Sequence, residues 1–237
     1  MRTTDIIRHH CTSIKDKFLR LCQLYNNGGI SEVKRGIFDY MNASTSERTY
    51  NETRTDNQER WDLIQPYLPE SGKIVDVGCA EGWFTAKAAE QGLNSVGIDS
   101  NYTRVERARN SWSDQNNCEF ILMDINPNTV SEVPETDVLL VLTVHHHWVR
   151  EFGAEAADEI LRILATKCDI LIYEPPGHLL LPDLTERRDK IEDSTDYYSD
   201  YIESVLDTES KILDVNMVEY VRSSKRKDPL FVINTKG

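Results

Sequence analysis

Five short apolar runs pace the chain, at 74–77, 94–99, 118–124, 137–144 and 169–174. They are rich in Val, Ile and Leu and show little polar alternation, as strands buried on both faces do. Helical spacing fills the gaps. One helix runs from Trp61 to Tyr67 before Pro69, others span 83–91 and 155–166, and another begins near Tyr102. Alternating strands and helices predict a parallel sheet with right-handed crossovers. A long polar helix is expected from 185 to Leu206. Two β-rich runs then close the chain, Lys211–Arg222 and Leu230–Thr235, parted by a charged loop and Pro229.

Candidate chemistry sits where the runs end. Ile74-Val-Asp-Val-Gly-Cys-Ala-Glu-Gly82 leads a strand into a tight turn and then a helix. Glycine is needed where a strand turns sharply and its backbone approaches a ligand. The spacing is G-x-x-x-G, without the Lys-Ser/Thr that holds a triphosphate. The next run ends in Asp99, about 20 residues on, where nucleotide folds place an acid on the ribose hydroxyls. The third, Phe120-Ile-Leu-Met-Asp124, also ends in an acid.

This order resembles class I S-adenosylmethionine (SAM) methyltransferases. The resemblance implies an α/β, Rossmann-like, doubly wound sheet of seven strands, mostly parallel, with the last strand pair antiparallel. It implies S-adenosylmethionine as cofactor, held by Asp76, Gly78, Cys79, Ala80, Gly82, Asp99, Ser100, Asp124, Ile125 and Thr143. Asp124 would accept from the adenine amine, with the Ile125 amide near a ring nitrogen. The domain so implied covers 61–237, after a basic amphipathic helical extension and polar lid over 1–60.

Composition narrows the partners. Among 237 residues, 27 Lys+Arg face 40 Asp+Glu, a net charge of −13 that argues against duplex nucleic acid. The charge is uneven. Residues 1–40 carry seven basic and four acidic side chains, leaving 20 against 36 in the rest. In residues 1–25, Ile7, Ile14, Phe18, Leu21 and Tyr25 recur at helical spacing with basic residues between them. That pattern fits a helix packed on its own body, or one lying on an acidic membrane surface or glycosylation partner. Five irregularly spaced cysteines make no disulfide framework, so a reducing, cytoplasmic compartment is expected. The amino end lacks the apolar core of a signal peptide, and no run approaches the ~18 apolar residues of a spanning helix.

In such a sheet, ligands sit outside the carboxyl ends of the strands. The acceptor should therefore enter over the loops after Val144 and Glu174. His145-His-His-Trp148 follows the first, and Pro175-Pro-Gly177 the second. Adjacent side chains diverge, so three histidines in a row are a poor metal site, and no metal is expected. His146 and His147 are the candidate catalytic residues, with Glu174 holding His146 if a hydroxyl must be deprotonated. Arg54, Arg60, His145, Trp148 and Arg150 are candidate acceptor contacts.

These segments resemble two methyltransferase groups. One is the chain-terminating phosphate methyltransferases of bacterial O-antigen synthesis, whose Ser-Val-Phe-His-His motif aligns with His146 and His147. The other is the methylphosphate-capping enzymes of RNA 5′ ends, matched at Leu142-Thr-Val144 and Glu174-Pro175 but not at their Lys-Trp. The stretch Leu24-Tyr-Asn-Asn-Gly-Gly-Ile-Ser-Glu-Val-Lys-Arg-Gly-Ile37 resembles leaders of archaeal surface-glycan assembly proteins. Together these imply a SAM-dependent O-methyltransferase esterifying a hexuronic acid on a sugar or lipid-linked glycan. Alternatives are a phosphate, small-metabolite or RNA-phosphate acceptor, or a catalytically silent partner subunit.

Overall fold

The computed structural model describes residues 56–175, 195–206, 209–219 and 227–236. The amphipathic segment 1–25, most of the polar stretch 42–59, Arg54, and the first part of the polar helix expected from 185 lie outside them.

Among the described residues the first element is α1 (Asn57–Ile64), followed by a 3-10 turn (Gln65–Tyr67), then β1 (Lys73–Val77), α2 (Trp83–Glu90), β2 (Asn94–Asp99), α3 (Tyr102–Ser111) and β3 (Cys118–Leu122). After a short 3-10 turn (Val130–Glu132) come β4 (Val138–Leu142), α4 (His145–Phe152), α5 (Ala154–Ala165), β5 (Ile170–Glu174), α6 (Thr195–Val205), β6 (Lys211–Glu219) and β7 (Lys227–Asn234). One seven-stranded sheet results, in the order β3-β2-β1-β4-β5-β7-β6. β1 to β5 are mutually parallel, and β7 runs antiparallel to both β5 and β6. This is the expected architecture.

Each strand feeds both faces, because successive side chains point to opposite sides. Val75, Val77, Leu139, Val141, Leu171 and Tyr173 join the core beneath α5 and α6. Ile74, Leu140 and Ile172 join the opposite core with Trp61, Ile64 and Phe84 of α1 and α2. α5 buries Ala157, Ile160, Leu161, Leu164 and Ala165, the i, i+3, i+4 stripe of a sheet-facing helix. α3 starts on Asn101, whose side chain accepts from the Arg104 amide at 3.1 Å. Among the described residues, no helix is long and apolar enough to cross a membrane.

Two elements differ from the sequence expectation. The fourth strand stops at Leu142, and the three histidines open a helix instead of lying in a loop. α4 buries His145 and Trp148 and half-buries Val149 and Phe152. That stripe is helical, but a histidine holds its first place, which hides it from an apolar count. α1 begins before Trp61 and straddles the boundary drawn there. Its Arg60 and Trp61 are both buried against the sheet domain.

Candidate active site

The chain runs outward from β1 through β2 to β3, then crosses back to β4 and β5. The direction reverses between β1 and β4, and the crevice above such a reversal is where ligands bind in this architecture.

The β1 turn is built on left-handed backbone. Gly78 and Gly82 have φ of +75° and +77°, and Ala80 between them has +51°. A Cβ on Gly78 would stand 2.3 Å from Val144 Cγ2, and one on Gly82 would stand 2.3 Å from a Phe120 ring carbon. Both glycines are therefore required by dihedral and by space. The Gly78 and Cys79 amides donate to the Ile98 carbonyl at 2.7 and 3.0 Å, fixing the turn to β2.

Asp99 is reached from two sides. The Ala80 amide donates to its Oδ2 at 2.9 Å and the Asn101 amide to its Oδ1 at 2.7 Å. Each carboxylate oxygen can accept more than one hydrogen bond, so this aimed group keeps capacity for ribose hydroxyls. Residues and cofactor chemistry therefore fit. Ser100 is half-buried beside it, Asp124 is half-buried past the end of β3, and Ile125 is buried.

Asp76 lies deeper, with Thr85 donating to its Oδ2 at 2.8 Å. Burial, opposed by that bond and reinforced by Asp99, pushes its carboxyl up to about 6. Glu81, inside the turn, accepts from Arg107 at 3.0 Å, and its carbonyl takes the Trp112 indole N–H at 3.0 Å. Neither Arg107 of α3 nor Trp112 just past its end was marked by the sequence pattern.

The acceptor side departs further from expectation. Arg60 is not at the surface. Its Nη1 donates to Glu174 Oε2 at 2.8 Å, its Nη2 donates to Asn57 at 2.8 Å, and its guanidinium lies 4.9 Å from the Phe84 ring centroid. Both partners of the pair are essentially inaccessible, at 2% and 1%. Glu174 is thus engaged by Arg60 of α1, where sequence spacing had set it to hold His146. His145 and Trp148, expected to touch the acceptor, are core residues at 0% and 4% exposure. Burial lowers His145 to about 4, so its ring is neutral at physiological pH.

His146 is half-buried and His147 exposed at the first turn of α4, with ring centroids 3.9 Å apart. His147 is held below its ordinary value by partial desolvation, then by Arg150 and Arg104, against Asp99 and Glu151. Arg104, from the first turn of α3, is a cation that sequence reading passed over. Thr143, directly before this turn, has φ +56°, which is rare for a β-branched residue and a mark of strain at functional sites. Among the described residues, no three His, Cys, Asp or Glu side chains gather into a metal site.

Residues 74–167 match the family model described as methyltransferase domain. Over 116 residues the chain is 29% identical to the O-antigen chain terminator bifunctional methyltransferase/kinase WbdD of Escherichia coli, covering 47% of this chain and 16% of that protein. The chain thus spans under a fifth of the length of that curated relative. The crystal structure of WbdD superposes with a TM-score of 0.60 at 20% identity, over 77% of this chain and 41% of the other. The N-methyltransferase NodS from Bradyrhizobium japonicum WM9, in complex with S-adenosylhomocysteine, gives 0.62 at 11% identity over 85% and 99%. Magnesium protoporphyrin IX methyltransferase from Synechocystis PCC 6803, with bound SAM, gives 0.56 at 15% over 93% and 97%. Residues 74–167 thus carry the sequence pattern of a methyltransferase domain, on a fold shared with methyltransferases solved with S-adenosylhomocysteine or SAM bound.

Proposed function

We propose that the protein O-methylates an anionic sugar of a surface glycan or N-glycan precursor, forming the methyl ester of a hexuronic acid carboxylate. The observation that carries this reading is the placement of charge at the acceptor lip. Arg150 and Arg104, from two different helices, both bear on His147 at the strand end beside Asp99. Meanwhile Glu174, the carboxylate that could have held a histidine base, is engaged by Arg60. A hydroxyl acceptor needs a base, whereas a carboxylate is ionised at neutral pH and needs only positioning by donors and cations.

S-adenosylmethionine supplies an electrophilic methyl group when bound. The chain's own part is to hold the cofactor's ribose on Asp99 and to bring the acceptor oxygen in line. Arg104 and Arg150 offset its charge, and His146 or His147 donates to it. The protein acts on the cytoplasmic side, where lipid-linked precursors present their sugars.

Purified protein with SAM and a hexuronate-terminated oligosaccharide should yield a product heavier by one methylene, which mild alkali removes. A neutral oligosaccharide should not react. Methylation of the neutral sugar at an equal rate overturns the reading. His146→Gln should lower transfer, and activity unchanged across pH rejects a role for that ring. A second reading, transfer to a phosphate monoester, is favoured by the similarity to the O-antigen chain terminator. Its product would survive the same alkali. Binding of S-adenosylhomocysteine with no transfer to any of the three acceptors would mark a silent subunit.

A further inference from the structure

α4 opens with His145. Its N-cap residue, Val144, makes no side-chain capping bond, and Thr143 before it is left-handed. Ser, Thr, Asp or Asn normally satisfies the free amides at such an end. Yet this turn carries the His146–His147 pair, and a misplacement of about 1 Å in a reacting group can cost about a hundredfold in rate. A contact from elsewhere in the fold can help to fix it.

His145 has the contacts to do so. It is the first residue of α4 and fully buried. Its Nδ1 lies 2.7 Å from the Tyr173 hydroxyl of β5, and its Nε2 lies 3.6 Å from Asp158 Oδ1 of α5. Asp158 in turn accepts from the Tyr201 hydroxyl of α6. The rings of Trp148, Tyr173 and Tyr201 surround the imidazole at 5.8, 5.8 and 6.1 Å. Four elements therefore meet on one side chain. The ring is hydrogen-bonded at Nδ1; at 3.6 Å the Asp158 carboxylate is an electrostatic neighbour of Nε2 and not its hydrogen-bond partner. Tyr173 also adjoins Glu174, so the same bond ties the start of α4 to the end of β5.

We propose that His145 is a positioning residue: bonded to Tyr173 and packed among the rings of Trp148, Tyr173 and Tyr201, it sets the first turn of α4 and thereby the direction in which His146 and His147 meet the methyl acceptor. The inference rests on His146 and His147 facing the acceptor, and it holds whichever anion that acceptor carries. The ionisable groups facing His145 are Tyr173 from β5, Asp158 from α5 and Tyr201 from α6, and Arg162 bears on Asp158.

The test uses full-length protein labelled at histidine, and Tyr173→Phe, which removes only the hydroxyl. S-adenosylhomocysteine affinity, by calorimetry, should stay within about twofold. The His146 and His147 ring resonances should shift and titrate at new midpoints, and methyl transfer should fall about tenfold in kcat with KM for SAM unchanged. The pH profile of the remaining activity should keep its shape, because His145 does not itself exchange a proton in the reaction. Unmoved His146 and His147 resonances overturn the proposal. So does a loss of cofactor affinity in step with activity, which would mean general loosening. A pH profile that follows His145 overturns it too, by making that ring an acid or base. Asp158→Asn, similar in shape, reads the same resonances should Tyr173→Phe not fold. If no anionic sugar is methylated, the resonance and calorimetry arms still decide the point.

Discussion

The two lips of the crevice are built by different means. On the cofactor lip, after β1 and β2, the backbone does most of the shaping: two left-handed glycines, a left-handed alanine, and amides aimed at Ile98 and Asp99. On the acceptor lip, after β4 and β5, side chains do it. Arg60 reaches from α1 to Glu174, and His145 reaches from α4 to Tyr173 and towards Asp158. A backbone cradle suits a ligand whose shape is fixed. A side-chain scaffold can be re-cut residue by residue for a different acceptor without disturbing the cofactor.

That contrast can be broken most severely at the buried ion pair. Arg60→Met leaves Glu174 charged and desolvated, and should cost about 3–5 kcal/mol in urea unfolding. Arg60→Met with Glu174→Leu should recover much of this, because a buried pair replaced by apolar groups is often near neutral. A loss under about 1 kcal/mol for the single change would show that α1 does not pin the acceptor lip.

The cofactor lip should fail sharply at one methyl group. Gly78→Ala meets both the Val144 methyl and an unfavourable φ, and should cost about 3 kcal/mol and abolish calorimetric heat with S-adenosylhomocysteine. Adding Val144→Ala should restore the steric share only. Full recovery would mean that the dihedral is unimportant.

Opposite pH responses separate the lips further. Asp76 is raised from 3.8 to about 6 in the folded state, so its contribution to stability is present below 3.8 and is lost as pH rises through 6. Asp76→Asn, which can still accept from Thr85, should therefore gain on the wild type between pH 4 and 7. The gain is on the order of 3 kcal/mol at its plateau. His145 is lowered from 6.5 to about 4, so its contribution is present above 6.5 and fades as pH falls toward 4. His145→Gln should flatten that acid limb. Chemical denaturation at each pH reads both, and parallel curves for Asp76→Asn and wild type would contradict the first.

The smallest effect is expected at Thr143. Thr143→Gly relieves the left-handed strain and should add stability of about 1 kcal/mol, offset in part by glycine's entropy, while lowering transfer. Faster transfer would show that the strain serves no positioning role.

Much of the cofactor lip was legible in the sequence. Gly78, Gly82 and Asp99 announce themselves because a sharp strand-to-helix turn admits few residue types, and because the spacing of successive strands is local. The acceptor lip was not legible in the same way. His145, Trp148 and Arg60 look like surface chemistry in the sequence and prove to be buried. The partners of His145 and Arg60, Tyr173 and Glu174, stand 28 and 114 residues along the chain. The α4 stripe of 145, 148, 149 and 152 was there to be found, but a histidine in its first position reads as polar.

The sequence by itself determined the order of strands and helices, the parallel core and the glycine turn with its neighbouring acid at the strand ends. Those follow from short-range rules: which runs are apolar, where the chain must turn without a Cβ, and which ends carry acids. Only the tertiary structure decided which polar groups face inward and which meet the acceptor. Burial of a charge or an imidazole depends on a partner brought alongside by folding. Arg60 finds Glu174 across more than a hundred residues, and no local pattern encodes that meeting.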